Sequence, residues 1–206
     1  MNWLAHVLLS KKDIDFQIGN FIADPYKARP WENASDDLKN GMFLHKVIDS
    51  YSDKHEAFKK SKKRLKEKGL LKGIIIDFVY DYLLTKNWDR YCNTKLELFT
   101  QEFYEKAYIQ KDSYPLRANQ IVENMIARDL LNYRDFIHLE KAFKRLDMRL
   151  SPKLAQRDSA ISYYKIVCEK IDELEDDFLE FFPDLIKRVN EELIVLGEDK
   201  LNHIKI

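Results

Sequence analysis

Glycine and proline each occur only five times in this chain of 206 residues. These residues supply most tight turns, so their scarcity leaves few places to reverse direction and favours long helices over many short strands. Apolar residues make up 45% of the chain and aromatic residues 13%, enough at this length for a real core without staples. The two cysteines, Cys92 and Cys168, have no metal-ligand spacing and form no disulfide framework, which points to a reducing cytoplasm. The first apolar run is short and its charges follow it, so neither a signal peptide nor a membrane span is expected. A net charge of zero removes any global electrostatic argument for nucleic acid, and none is expected as a partner.

The hydrophobic pattern predicts an all-α, single-domain helical bundle over residues 1–206, without internal repeats or linkers. Short helices are expected over 3–10 and 15–23. Pro25 stops the second, because the residue before a proline is pushed out of helical geometry, and this leaves Asp24 at a helix end. Ser35 is placed to cap a third helix, with Asp36 and Asp37 in its first turn, running toward Phe58. The run Ile74, Ile75, Ile76, Phe78, Val79, Leu83, Leu84 invites a strand, but a helix puts Asp77 and Asp81 on one face with apolar residues filling the rest. Further helices are expected over 97–108, 116–131 and 135–146. Ser151-Pro152 reads as the start of a long helix carrying Ile161, Tyr164, Cys168, Ile171, Leu174 and Phe178 as an apolar stripe to Pro183. Helix continues to Leu196, and the final residues 202–206 are expected to fray.

Asp77 and Asp81 are the most informative pair. Burying a carboxylate is costly unless it is paired, protonated or bound to a cation, and two side by side also repel. A divalent metal relieves both problems; solvent exposure or an Arg or Lys partner would do so too. His45 and Asp49 stand four apart, so one helix face offers an imidazole and a carboxylate together. Asp53 lies one turn further along that face, as an outer partner or a solvated acid. His6 sits on the apolar face of the first helix, where a core histidine bonded to a backbone carbonyl is the plain alternative. Taken together, His6, Asp24, His45, Asp49, Asp77 and Asp81 make a mixed nitrogen and oxygen set suited to Mn²⁺, Mg²⁺ or Fe²⁺.

The stretch from Lys59 to Lys72 holds eight Lys or Arg and a single Glu. It reads as a solvated helix face, or as a docking surface for an acidic protein through Lys59, Lys60, Lys62, Lys63, Arg64 and Lys66. Nucleic acid fits it less well, because interleaved aromatics for stacking are missing.

Four segments carry a family resemblance: the opening Met-Asn-Trp-Leu-Ala-His, then Gly-Asn-Phe-Ile-Ala-Asp, Leu-His-Lys-Val-Ile-Asp and Asp-Phe-Val-Tyr-Asp-Tyr-Leu-Leu-Thr-Lys-Asn-Trp. In order and spacing the chain resembles the acyl carrier protein phosphodiesterases over residues 1 to about 193, with 194–206 as an extension. The resemblance implies an HD-like helical hydrolase that uses Mn²⁺ or a similar ion. It would remove 4′-phosphopantetheine from holo-acyl carrier protein, which is the partner expected for the basic stretch. It also implies roles for Asp24, His45, Asp49 and Asp77 as metal ligands and for His6 and Asp81 in catalysis, with Asn20 on a matching position. Either His6 or a protonated member of the Asp77/Asp81 pair would supply the leaving serine's proton. One departure stands out: where the pattern has Asp-His, this chain has Asp81-Tyr82, and a phenol is a poor ligand for these ions. The other readings are an HD-like phosphohydrolase of a nucleotide or another small phosphodiester, and a non-catalytic helical module that binds an acidic partner.

Overall fold

The computed structural model describes residues 3–128 and 135–205. Its helices run α1 (Trp3–Leu8), α2 (Ile14–Ile22), α3 (Asp36–Lys54), α4 (Glu56–Leu65), α5 (Lys72–Lys86), α6 (Trp88–Tyr91) and α7 (Leu96–Gln110). They continue as α8 (Leu116–Arg128), α9 (Phe136–Asp147), α10 (Pro152–Ala155), α11 (Tyr164–Glu169) and α12 (Ile171–Val195). The only β pairing among the described residues is an isolated bridge between Cys92 and Ile204, so the all-α expectation holds. No described helix is long and apolar enough to cross a membrane. The part of the expected 116–131 helix beyond residue 128 lies outside the described residues.

Side-chain caps start several of these helices. Asp13 accepts from the Phe16 amide at 3.0 Å to open α2, and Ser35 accepts from the Leu38 amide at 3.2 Å to open α3, as its position predicts. Helix α5 is apolar nearly all round, and it packs against α1, α4, α9 and α12 at the centre of the bundle. The core beside it is dense in rings: Tyr80, Phe178, Phe181 and Phe182 are fully buried, and Tyr80 lies 5.3 Å from Phe178 and 5.5 Å from Phe181. Each such ring contributes about 1.5–3 kcal/mol through burial.

Three expectations change. The helix expected to reach Phe58 ends at Lys54, where His55 takes extended geometry and its Nδ1 accepts from the Ala57 amide at 3.3 Å, capping a separate α4. That turn lets Phe58 pack on Tyr80 and Phe181. The helix opened by Ser151 and Pro152 ends after four residues, and the apolar stripe resumes only in α11 and α12. Here Asp147 competes with the helix for backbone donors, accepting from the Ala160 and Ile161 amides at 2.5 and 3.0 Å. Helix α12 then passes through Pro183 without ending. An interior proline costs about 3 kcal/mol, and the complete burial of Phe181, Phe182, Leu185 and Ile186 around it offsets that loss.

The chain's last residues also depart from expectation. The His203 Nε2 donates to the Leu8 carbonyl at 2.8 Å, and the Asn93 amide donates to the His203 carbonyl at 2.9 Å. Lys11 pairs with Glu198 at 2.8 Å. Residues 198–205 therefore dock against the end of α1 and do not fray.

Candidate metal centre

Helices α2 and α3 cross with their backbones in contact. A Cβ added to Gly19 would stand 2.2 Å from the Leu38 carbonyl oxygen, and one on Gly41 would stand 2.1 Å from that of Phe16. No larger residue fits at either position. This approach sets Asn20 of α2 beside His45 of α3, while α1 lies on the other side of Asn20 with His6.

Fully buried Asn20 holds both imidazoles. The His6 Nδ1 faces Asn20 Oδ1 at 2.8 Å, and the His45 Nδ1 faces the Asn20 carbonyl oxygen at 2.7 Å. The Asn20 Nδ2 donates to the His6 carbonyl at 3.0 Å, which identifies Oδ1 as the atom facing the ring. The two rings stack with centroids 4.1 Å apart. Their far nitrogens converge on one carboxylate, His6 Nε2 at 3.3 Å from Asp49 Oδ1 and His45 Nε2 at 3.1 Å from Asp49 Oδ2. Asp24, beyond the end of α2, adds Oδ1 at 3.2 Å from His45 Nε2.

A neutral imidazole has one N–H and one lone pair. Both rings here face acceptors at both nitrogens, so each neutral ring is one positive group short. His45 can make this good by protonation: burial opposes its charge, but Asp24 and Asp49 outweigh burial and raise it to about 9. His6 does not, because burial, with His45 adding to it, lowers its pKa to about 4. Burial also works against the Asp49 charge, yet His45 and His6 hold that carboxyl well below its usual range. The hydrogen bond with His45 lowers Asp24 in the same direction. Neutral His6 therefore leaves a contact that a cation between His6, His45 and Asp49 would relieve. Their donor atoms lie within 4.8 Å of one another, close to the spread of ligands on one divalent ion with bonds of about 2.0–2.2 Å.

The other candidates are placed differently. Asp81 is wholly buried behind α1, where Oδ2 accepts from the Leu4 amide at 3.3 Å and Oδ1 has no hydrogen-bond partner among the described residues. Burial raises its carboxyl to about 8. Asp77, one turn earlier, is half-buried; burial raises its pKa too, with Asp49 and Asp53 adding their charge to the effect. Neither belongs to the close group of three. Asp53 pairs with Lys62 at 3.3 Å at the exposed end of α3. Ser10, which bonds both Asn20 and His6, is missed by sequence reasoning, since a serine after an apolar run reads as a helix end.

A family model described as acyl carrier protein phosphodiesterase matches residues 1–185. The chain belongs to the acyl carrier protein phosphodiesterase family. Curated relatives bearing that name include one from Enterobacter sp. (strain 638), 26% identical over 192 residues, covering 90% of this chain and 96% of the relative. Another, from Escherichia coli O6:K15:H31, is 26% identical and covers 92% of this chain and 98% of the relative. A third, from Salmonella agona, is 25% identical over 189 residues. No solved structure matches.

In this acyl carrier protein phosphodiesterase family member, the basic run forms α4 and the loop after it. The structure divides its charges. Arg64 turns inward, its Nε 2.7 Å from the wholly buried Asp177 of α12, and also pairs with Glu173; Lys60, itself exposed, brings Nζ to 3.0 Å from the same carboxylate. Lys59 pairs with Glu56 of its own helix at 2.8 Å, and Lys66 reaches Ser162 at 2.7 Å. Lys63 is exposed. Tyr82, the departure from the family pattern, packs its ring 5.1 Å from Phe136, on the α9 side of α5.

Proposed function

We propose that this chain is a divalent-metal-dependent phosphodiesterase that hydrolyses the bond between 4′-phosphopantetheine and the serine of holo-acyl carrier protein, leaving the apo form. Family membership supports the substrate class. The observation that carries the chemistry is the pair of imidazoles locked by Asn20, with both Nε2 atoms turned to Asp49.

His6, His45 and Asp49 would hold the ion, with Asp24 on its solvent side. This assigns His6 a ligand's role, in place of the catalytic role that the resemblance implies. Two imidazole donors favour Mn²⁺ or Fe²⁺ over Mg²⁺, which prefers oxygen ligands. When bound, such an ion lowers the pKa of a water and polarises a phosphoryl oxygen.

The serine alkoxide is a poor leaving group and needs a proton. His6 and Asp81 are almost completely buried, so Asp77, which is half-buried and whose burial favours its protonated form, is the member of the set suited to donate it. The exposed lysines of α4, Lys63 foremost, would face the acidic carrier protein, and Lys62 on Asp53 ties that surface to the helix bearing His45 and Asp49.

The test is incubation with holo-acyl carrier protein and Mn²⁺, followed by mass spectrometry. The carrier should lose the mass of phosphopantetheine. Unchanged carrier at high enzyme concentration overturns the reading, and turnover of small phosphodiesters alone would replace the substrate.

A further inference from the structure

We propose that Ser10 is a positioning residue for this centre: its hydroxyl fixes the direction of the Asn20 amide and, through it, the nitrogen of His6 that carries the proton. The inference rests on the metal reading above. Ser10 lies just beyond α1 and, like Asn20, is fully buried.

The directions follow from the number of protons available. A serine hydroxyl has one proton, and Ser10 gives it to the His6 carbonyl at 2.8 Å. Its oxygen is then an acceptor, and it takes a hydrogen bond from Asn20 Nδ2 at 2.9 Å. The second Nδ2 proton goes to the same His6 carbonyl at 3.0 Å. Both amide protons are thereby placed, and only Oδ1 is left to face His6 Nδ1 at 2.8 Å. Oδ1 accepts and never donates, so the single ring proton of neutral His6 must sit on Nδ1. The Nε2 lone pair is left pointing toward Asp49, where a metal ligand is needed.

The reverse arrangement would put Nδ2 against His6 Nδ1 and the ring proton on Nε2. It would also bring Oδ1 against the His6 carbonyl, depriving that oxygen of the Asn20 donor. Ser10 opposes this because its own proton is already committed to that carbonyl. Without the hydroxyl, one amide proton has no acceptor in the native orientation, and the two arrangements approach each other in energy. A ring protonated on Nε2 cannot ligate.

The experiment compares wild type, Ser10→Ala and Ser10→Thr, which keeps the hydroxyl. In metal-free protein with ¹⁵N-labelled histidine at neutral pH, His6 should be the Nδ1–H tautomer in wild type and a mixture of tautomers in Ser10→Ala. The Mn²⁺ Kd, measured by titration, should rise about tenfold in Ser10→Ala, with kcat at saturating Mn²⁺ near wild type. Ser10→Thr should restore the wild-type tautomer. An Nε2–H tautomer in wild type overturns the proposal, as does Ser10→Ala with unchanged tautomer and unchanged Kd. A tautomer shift without Mn²⁺ binding to either protein would uphold the role of Ser10 and overturn the metal reading instead.

Discussion

His6 and His45 stack ring on ring at 4.1 Å, and both turn Nε2 toward the same Asp49 carboxylate. Two cations so close would repel, and the fold keeps only one of the rings charged in the absence of metal: His45 is raised to about 9 and His6 lowered to about 4.

Metal binding is therefore expected to release close to one proton, from His45, between pH 6 and 8. Apparent affinity should rise about tenfold per pH unit until it levels near 9. Calorimetry in buffers of different ionisation enthalpy counts the proton. The sign for folding is the opposite one. A raised histidine stabilises the metal-free fold below its unfolded value of 6.5, and that stability is lost as pH climbs through about 9.

Asp81 should add to the same trend from lower pH. Its folded pKa of about 8 stands above the ordinary 3.8, so its contribution is complete below about 4 and fades as pH rises through about 8. The slope from this group is at most about 1.4 kcal/mol per pH unit in that window. Asp81→Asn should flatten the pH dependence and make the metal-free protein more stable than wild type at pH 9, as read by chemical denaturation. Equal slopes in the two proteins would show that Asp81 is ionised in the fold.

Gly41→Ala should damage fold and site together. Its Cβ would meet backbone at 2.1 Å, so α2 and α3 must separate, at a cost of about 3 kcal/mol. Because the His45–Asn20 bond spans the two helices, Mn²⁺ affinity should fall in the protein that remains folded. An unaltered Kd in folded Gly41→Ala would mean that the helix spacing does not set the site.

Two neighbouring basic residues should behave differently. Arg64→Ala deprives the buried Asp177 of its best partner and should cost about 3 kcal/mol. Lys63→Glu changes an exposed charge and should leave the melting temperature within a degree or two. The same change should raise KM for the carrier protein severalfold at low salt, with kcat unchanged and the effect fading as salt is added. If KM did not move, docking would have to be sought on another face.

Much of this was legible in the residues. His45 with Asp49 follows from helical spacing, Asp24 from the proline behind it, and the helices from their periodicity and caps. What periodicity does not contain is the placement of one helix against another. Asp77 and Asp81 share a face of α5, yet Asp81 meets the backbone of α1 while His6 comes to Asp49 from that same short helix. The resemblance supplied His6 and Asn20; Ser10 had no signal, because its hydrogen bonds exist only once α1 and α2 have met. The breaks after Lys54 and Ala155 escaped for a related reason, since His55 and Asp147 act on backbone groups that their spacing does not reveal.

The docking of His203 on Leu8 joins residues 195 positions apart. At about 5–20 residues per second, a ribosome takes roughly 10–40 s to cover that interval. Through that time α1 can form its own turns, but the contact that holds its far end does not yet exist. His6 is made well before the segment that secures its helix. Metal capture should accordingly be a late step in the biogenesis of this protein, following the docking of residues 198–205 on α1.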